Sequence, residues 1–194
     1  GPQGILFGQN STAGAVNFIA AKPTDHFTAN VSGSYGRVNR WDGQFAVSGP
    51  LGDSLKARLA VRQEGGGDWQ RSYTRDASLG ERDRTSARLL VDWAPADTLK
   101  VTFGLSGWRD KSDTQALQLL KIVPNAPQYL IPALANYPLA PHNARAADWE
   151  PGKHFRFDTT FWQPSLRAEL ELSPDVTLTS LSTYSKYKTD SLLD

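Results

Sequence analysis

The feature that most constrains the fold is a period-two alternation of apolar and polar residues along most of the chain. Between positions 55 and 62, every odd position is apolar and three of the four even positions are basic. Successive side chains of a β-strand point to opposite faces of a sheet, so this pattern predicts strands with one apolar and one polar face. Helical spacing of apolar residues is missing, and Thr, Ser, Val and aromatic residues, which favour strands, are frequent. The sequence therefore predicts an all-β fold.

The alternation predicts about seven strands whose connections are short and long in turn. The strands are expected at 27–37, 40–49, 54–64, 82–94, 98–110, 156–173 and 176–188. Tight turns rich in Pro, Gly, Asp and Ser are expected near 49–54, 94–98 and 173–175. Long outer loops are expected near 65–81 and 111–155. Short turns at one end and long loops at the other are typical of an antiparallel outer-membrane barrel.

Strand length and aromatic placement favour the same architecture. Strands of about 11 residues, tilted by about 40–45°, span about 25–28 Å, close to the apolar band of such barrels. Aromatic residues near the strand ends are expected to form girdles at the two membrane interfaces: Tyr35, Trp41, Trp93, Trp108, Phe157, Trp162 and Tyr184. Charged residues of the polar face would point into the lumen: Lys56, Arg58, Arg62, Arg88, Asp92, Lys100, Arg167, Glu169 and Glu171. A soluble β-sandwich with a solvated polar face stays open as an alternative.

The N-terminal segment, residues 1–23, breaks the strand pattern and is rich in glycine and other small residues. It resembles the end of the plug domain in TonB-dependent outer-membrane transporters, where Gly-Pro-x-Gly-x-Leu-[Phe/Tyr]-Gly precedes a small-residue stretch and a short strand ending in Lys-Pro. The residues that carry the match are Gly1, Pro2, Gln3, Gly4, Leu6, Phe7, Gly8, Asn10, Gly14 and Asn17. Gln9 and Ala13 depart from it, because a basic residue and a glycine are common at those positions. A phosphate-binding glycine loop is disfavoured because the Gly-Lys-[Ser/Thr] ending is absent.

The resemblance implies that residues 1–24 are the C-terminal end of a plug and that residues 25–194 are the N-terminal part of a transmembrane β-barrel. The chain is then expected to be a piece of a longer transporter, a monomer in the lipid of a Gram-negative outer membrane. The resemblance further implies uptake energised by the TonB complex, through a box expected upstream, with ferric siderophores as the commonest ligands. Uptake of oligosaccharide or cobalamin by the same mechanism and a passive porin-like barrel are the alternatives, and the plug motif argues against the porin.

Few residues in the chain indicate a catalytic or metal-binding function. Cysteine is absent, and the three histidines, His26, His142 and His154, lack metal-ligand spacing. With no nucleophile motif either, we expect no enzyme activity, no metal and no cofactor. The net charge of +1 gives no reason to expect a nucleic acid partner.

Ligand contacts, if they lie in this chain, are expected in the two long loops. Aromatic rings and arginines can stack on sugars or hold an anionic metal chelate. The candidates are Trp69, Arg71, Tyr73, Tyr129, Tyr137, Arg145 and Trp149. Ordinary anchoring of the loops is the alternative for each of these residues.

Overall fold

Antiparallel strands dominate the computed structural model of the protein, which describes residues 19–123 and 132–193. The strands are β1 (Thr28–Tyr35), β2 (Trp41–Gly52), β3 (Leu55–Gly66), β4 (Gln70–Ser72), β5 (Ser78–Leu79), β6 (Arg82–Ala96), β7 (Leu99–Asp110), β8 (Ala146–Ala147), β9 (Phe157–Ser173), β10 (Val176–Thr183) and β11 (Lys186–Ser191). The helical segments are a 3-10 turn at Arg37–Asn39 and α1 at Pro132–Ala135. In the described part of the chain, no helical segment has the length and hydropathy to cross a membrane. The plug-motif residues and Tyr129 lie outside the described residues.

The main sheet is an up-and-down meander in which each long strand pairs with the next one. Its order is β1-β2-β3-β6-β7-β9-β10, and every pairing is antiparallel. A separate three-stranded sheet, in the order β5-β4-β8, lies in the long loops. In the described residues the main sheet is open, since β1 and the last strand each pair on one side. The all-β prediction is therefore confirmed.

Strands β10 and β11 are one strand with a single interruption. Both pair with β9, and the register continues from Thr183 opposite Ser165 to Lys186 opposite Trp162. The interruption lies opposite Pro164, whose carbonyl accepts a hydrogen bond from Tyr184 N at 3.1 Å. Proline has no N–H to return a bond to the neighbouring strand, so the ladder breaks there without a change of register. The predicted strand at 176–188 is thus confirmed and extends to Ser191.

The seven predicted long strands all form, with ends shifted by a few residues. The first tight turn is shorter than predicted, because β2 keeps its pairing through Gly49 and Pro50 and leaves only Asp53 and Ser54 between strands. Strands β4, β5 and β8 have two or three residues each and were not predicted. Such short strands hold too few residues to establish a period of two.

The cross-strand register places most of the apolar residues of the long strands on one face, here called the outer face. Val61, for example, pairs with Phe45 on one side and Ala87 on the other. The charged residues predicted to share the polar face do so, as the pairs Lys56–Asp92 and Lys100–Glu169 illustrate. Strand β10 is less regular, because Ser180 and Ser182 fall on the outer face.

The polar face is concave. Alternate residues from six strands, β1 to β9, surround a trough of about 790 Å³ on this side. Two of the predicted girdle aromatics belong to this face, which corrects that prediction. Trp108 pairs with Ser86 and Phe161 and lines the trough. Phe157 is an even number of residues from Phe161 on β9 and therefore shares its face.

Close strand packing at Gly107 gives a test of the register. A Cβ built there lies 2.9 Å from the backbone oxygen of Phe161, whereas a Cβ at Gly43 meets only the tip of the Trp41 side chain at 4.0 Å. Because backbone cannot move aside cheaply, we expect Gly107→Ala to destabilise the sheet by about 1–3 kcal/mol. The matched change Gly43→Ala is expected to have little effect. Urea unfolding of both variants measures the difference, and equal stabilities would contradict the pairing of β7 with β9.

Candidate functional site

The outer face exposes a continuous apolar surface. Its large side chains are exposed to solvent even on central strands, where Leu166 is 47% and Phe103 is 37% exposed. Among the described residues no other layer packs on this face, since the buried apolar cluster lies in the loops instead. Soluble monomers rarely leave contiguous apolar patches larger than a few hundred Å² open. The outer face is therefore a candidate interface with an apolar medium.

A polar row bounds this surface at the loop end of the sheet. It crosses five strands through paired residues at one level: Gln63, Thr85, Arg109, Thr160 and Lys188. The side chains of this row are themselves paired, since Thr85 donates to Gln63, and Arg109 lies 3.1 Å from the Asp158 carboxylate. On β9 the apolar stretch from Trp162 to Leu172 is ten residue steps, or about 33 Å along the strand. A tilt of about 40° turns that length into about 25 Å, the height of a bilayer's apolar band.

Aromatic rings mark the edges of the outer face, and their line is slanted. Near the loop end lie Tyr35, Trp41, Trp162 and Tyr184, and near the turn end lies Trp93. The ring centroids of Trp162 and Tyr184 lie 5.4 Å apart. Strand β2, which carries Trp41, is four interstrand spacings from β9, which carries Trp162. Trp162 lies four residues closer to the turn end than the level that pairs with Trp41. About 13 Å along the strand over about 19 Å of sheet gives a slant of about 35°.

A second aromatic group lies on the concave face, toward the loops. The ring centroids of Phe161 and Tyr187 each lie 6.2 Å from that of Trp108. The Arg84 guanidinium lies 5.1 Å from the centre of the Trp108 ring, a cation–π contact. Sequence reasoning missed this group as a unit. The phase of the alternation on β7 separates Trp108 from the outer-face residues and was the signal that could have found it.

The described parts of the two long loops fold against each other into a compact unit, here called the loop cap (residues 67–81, 111–123 and 132–155). Its buried core consists of Leu79, Ala116, Ala147, Trp149 and Phe155. The buried Gln70 side chain holds the two loops together, since its amide donates to Ala116 O at 2.8 Å and accepts from Ala116 N at 2.9 Å. The parallel pairing of β4 with β8 joins the same two loops.

The carboxylate of Asp148 is the polar centre of the loop cap. Its side chain is 4% exposed. It accepts hydrogen bonds from Ser72 Oγ at 2.9 Å, from the Arg75 guanidinium at 2.8 Å and from the hydroxyls of Thr74 and Tyr137. Burial alone would raise the pKa of this carboxyl, but the hydrogen bonds from Thr74, Tyr137 and Ser72 outweigh burial and lower the pKa below its ordinary 3.8.

The neighbouring phenols respond to the same charge. The hydrogen bond to Asp148, followed by burial, raises the pKa of Tyr137. Burial and then the charge of Asp148 raise the pKa of Tyr73. Both phenols therefore stay protonated at neutral pH, and Tyr137 acts as a donor to the carboxylate.

The loop residues predicted to contact a ligand occupy different positions in the cap. Trp149 is buried and has the Arg75 guanidinium 5.0 Å from its ring. The Arg145 guanidinium donates to the Trp69 carbonyl at 2.7 Å, which anchors one loop on the other. Tyr137 joins the Asp148 cluster, Tyr73 is half-buried nearby and Arg71 is exposed. These contacts explain how the residues hold the cap together, and their contact with a ligand stays a prediction.

The chain enters the sheet from the concave side at the turn end. Thr24 N donates to the buried Ser48 Oγ at 2.9 Å, and Lys56 pairs with Asp25. Ser48 and Lys56 both belong to the polar face. The residues just before β1 are therefore held at the concave face.

Comparison with known families leaves the chain unassigned. Its amino-acid sequence matches no family model. In residues 19–123 and 132–193, no group of three or more His, Cys, Asp or Glu side chains is placed to hold a metal ion.

The lowered pKa of Asp148 predicts an acid-sensitive loop cap. A carboxyl with a lowered folded-state pKa adds stability above its unfolded pKa and loses it as the pH falls through the folded value. We expect the cap to stay closed at neutral and mildly acidic pH and to open below about pH 4. Hydrogen exchange of residues 67–81 and 132–155 across a pH series measures the opening.

Two variants isolate the contribution of Asp148. Asp148→Asn is expected to leave a looser cap whose protection against exchange, relative to the intrinsic rate at each pH, no longer falls across the acid range. Asp76→Asn, at an exposed position in the same loop, is expected to keep the wild-type profile. An acid transition of the same size in Asp148→Asn would contradict this role.

Proposed function

We propose that this chain forms part of the wall of a β-barrel that crosses the outer membrane of a Gram-negative bacterium. The observation that carries the proposal is the outer face, a continuous exposed apolar surface that ends at a row of paired polar residues. Its height of about 25 Å and its aromatic margins match the lipid-facing surface of such barrels. The aromatic slant of about 35° agrees with the usual strand tilt of about 35–45°.

The two open edges of the sheet support a larger barrel of which this chain supplies one sector. Unpaired backbone groups are not tolerated in hydrocarbon, so further strands of the parent protein must pair with β1 and with β10–β11. The concave polar face then lines the lumen. Seven strands correspond to about a third of the roughly 22 strands of plugged outer-membrane transporters.

The proposed function of the parent protein is uptake energised by the TonB complex, with the protein acting as a monomer and not as an enzyme. Support comes from the motif in residues 1–17 and from Thr24 and Asp25, whose contacts bring the preceding chain to the concave side. A plug that lies inside a barrel must connect to the first strand from the concave, lumen side. The loop cap would face outward and the tight turns the periplasm, as in known barrels. Ferric siderophores are the proposed ligand class.

Lipid contact of the outer face can be tested with tryptophan fluorescence. In vesicles of brominated lipid, bromine atoms quench the rings that they touch. We expect quenching at Trp41, Trp93 and Trp162, which edge the outer face, and protection of Trp108 and Trp149. Single-tryptophan variants of the full-length protein separate the signals. Quenching that is equal at Trp108 and Trp162 would contradict the assignment of the faces, and a protein that stays soluble without detergent would favour a β-sandwich.

Neighbouring positions on β9 give a paired test of the lumen. Leu166 lies on the outer face and Ser165 on the concave face. Arginine near the middle of the lipid face costs about 2–4 kcal/mol, whereas a wet lumen accommodates it. We expect Leu166→Arg to reduce insertion into the membrane sharply and Ser165→Arg to insert like the wild type. Protease protection of reconstituted protein measures insertion, and equal insertion of the two variants would argue against a lipid-facing side.

A further inference from the structure

The charged residues of the outer face are confined to its loop end. Between the level at which Lys186 pairs with Trp162 and the tight turns, the outer face of the described strands carries no charged residue. The tight turns at the other end contain Asp53, Asp97 and Asp175 and no base. Within the described strands, a basic contact from the outer face to a lipid headgroup is therefore available only at the loop end.

At this end the bases lie closer to the apolar band than the carboxylates do. Lys186 is level with Trp162, and Lys188 and Arg109 belong to the polar row two residues further toward the loops. The outer-face carboxylates of the strands begin another two residues beyond that row, and they are Asp83, Asp158 and Asp190. A base beside hydrocarbon can lay its stem along the apolar surface and hold its charge at headgroup level. Positive charge thus lies where lipid phosphates begin.

Of these three bases, the two lysines are available for a further partner. Arg109 already holds the Asp158 carboxylate with both nitrogens, at 3.1 and 3.2 Å. Lys186 and Lys188 are exposed, and their ammonium groups make no hydrogen bond or ion pair with a described residue. Asp190, the carboxylate nearest to them along β11, lies on the loop side of both lysines.

The surroundings of Lys186 contain no carboxylate at all among the described strands. Its neighbours on the outer face, along β11 and across on β9, are Tyr184, Lys188, Thr160, Trp162 and Pro164. The ammonium group therefore has a second base beside it and aromatic rings next to it, but no acidic side chain at a neighbouring position of the sheet.

An aromatic pair lies beside the two lysines, toward the apolar band. The rings of Trp162 and Tyr184 are exposed on the outer face. Such rings favour the level between headgroup and acyl chain, because one end is apolar and the other can donate a hydrogen bond. A base pair above an aromatic pair matches the layers of a lipid, with phosphate above and hydrocarbon below.

We propose that Lys186 and Lys188 bind the phosphate of an anionic lipid in the leaflet at the loop end, with its acyl chains against Trp162 and Tyr184. Lysine carries a compact charge that suits a phosphate, and each base near a membrane surface adds attraction for anionic lipid. This inference rests on the proposed function, because only a lipid-facing outer face meets headgroups. It adds the class of lipid and the one leaflet in which that lipid is held.

Brominated lipids test the proposal on the full-length protein in phosphatidylcholine vesicles. Part of the lipid is replaced by brominated phosphatidylglycerol or by brominated phosphatidylcholine. Single-tryptophan variants report the lipid beside Trp162, next to the lysines, and beside Trp93 at the turn end. We expect phosphatidylglycerol to be enriched about fivefold or more over phosphatidylcholine at Trp162 and to show no enrichment at Trp93. Both leaflets have the same composition, so the orientation of the protein does not affect the result.

Glutamine variants assign the enrichment to the two bases. Lys186→Gln and Lys188→Gln are each expected to lower the enrichment at Trp162 several-fold, and the double variant is expected to reach the value at Trp93. Lys100→Gln is the matched control, because Lys100 lies on the concave face opposite Glu169, and it should keep the full enrichment.

The two brominated lipids separate failure of this site from failure of the barrel. Trp162 that is quenched by neither lipid would overturn the lipid-facing outer face, and the proposed function with it. Equal quenching of Trp162 by both lipids overturns the anionic-lipid site alone, and indicates that another part of the polypeptide neutralises the lysines. Full enrichment in the double variant also overturns it, because the two lysines would then not be its cause.

Discussion

The register between neighbouring strands is the constraint on which the rest of the structure depends. Leu59, for example, faces Val47 on one side and Leu89 on the other, and the same matching continues to Leu105 and Pro164. A slip of one residue at any pairing would move a whole strand's apolar residues to the concave face and its charges to the outer face. The apolar outer face and the polar concave face therefore both follow from one set of backbone hydrogen bonds. Pro164 breaks this ladder locally without disturbing the register.

The arrangement inverts the usual distribution of apolar residues in a small soluble protein. The sheet buries few of its large apolar side chains, and the buried apolar cluster lies in the loops. Such a sheet cannot derive its stability from a core between two layers. In the proposed barrel, lipid on the outer face and further strands at the two edges would supply this missing stabilisation.

The loop cap adds a rigid element at one end of the sheet. Gln70 of the first loop binds Ala116 of the second, and Asp148 of the second loop binds Ser72 of the first, so neither loop can move without breaking hydrogen bonds to the other. Buried carboxylates are stable only with such partners. In the proposed transporter the cap would stand at the outer end of the barrel, where long loops face outward.

The sequence by itself determined the strands, the tight turns and the two faces, because a period of two is a local property of the backbone. The sequence also contains the motif that resembles the end of a plug domain, and the residues of this motif lie outside the described structure. It did not determine the contacts between distant loops. For Trp149 and Tyr137 the sequence left ligand contact and loop anchoring open, and only the fold shows that Trp149 lies in the core of the cap and that Tyr137 donates a hydrogen bond to Asp148. Likewise, only the register across β3 and β6 makes Arg58 a diagonal neighbour of both Arg88 and Asp92, since the pairing of strands separated by a long loop is decided by the tertiary structure.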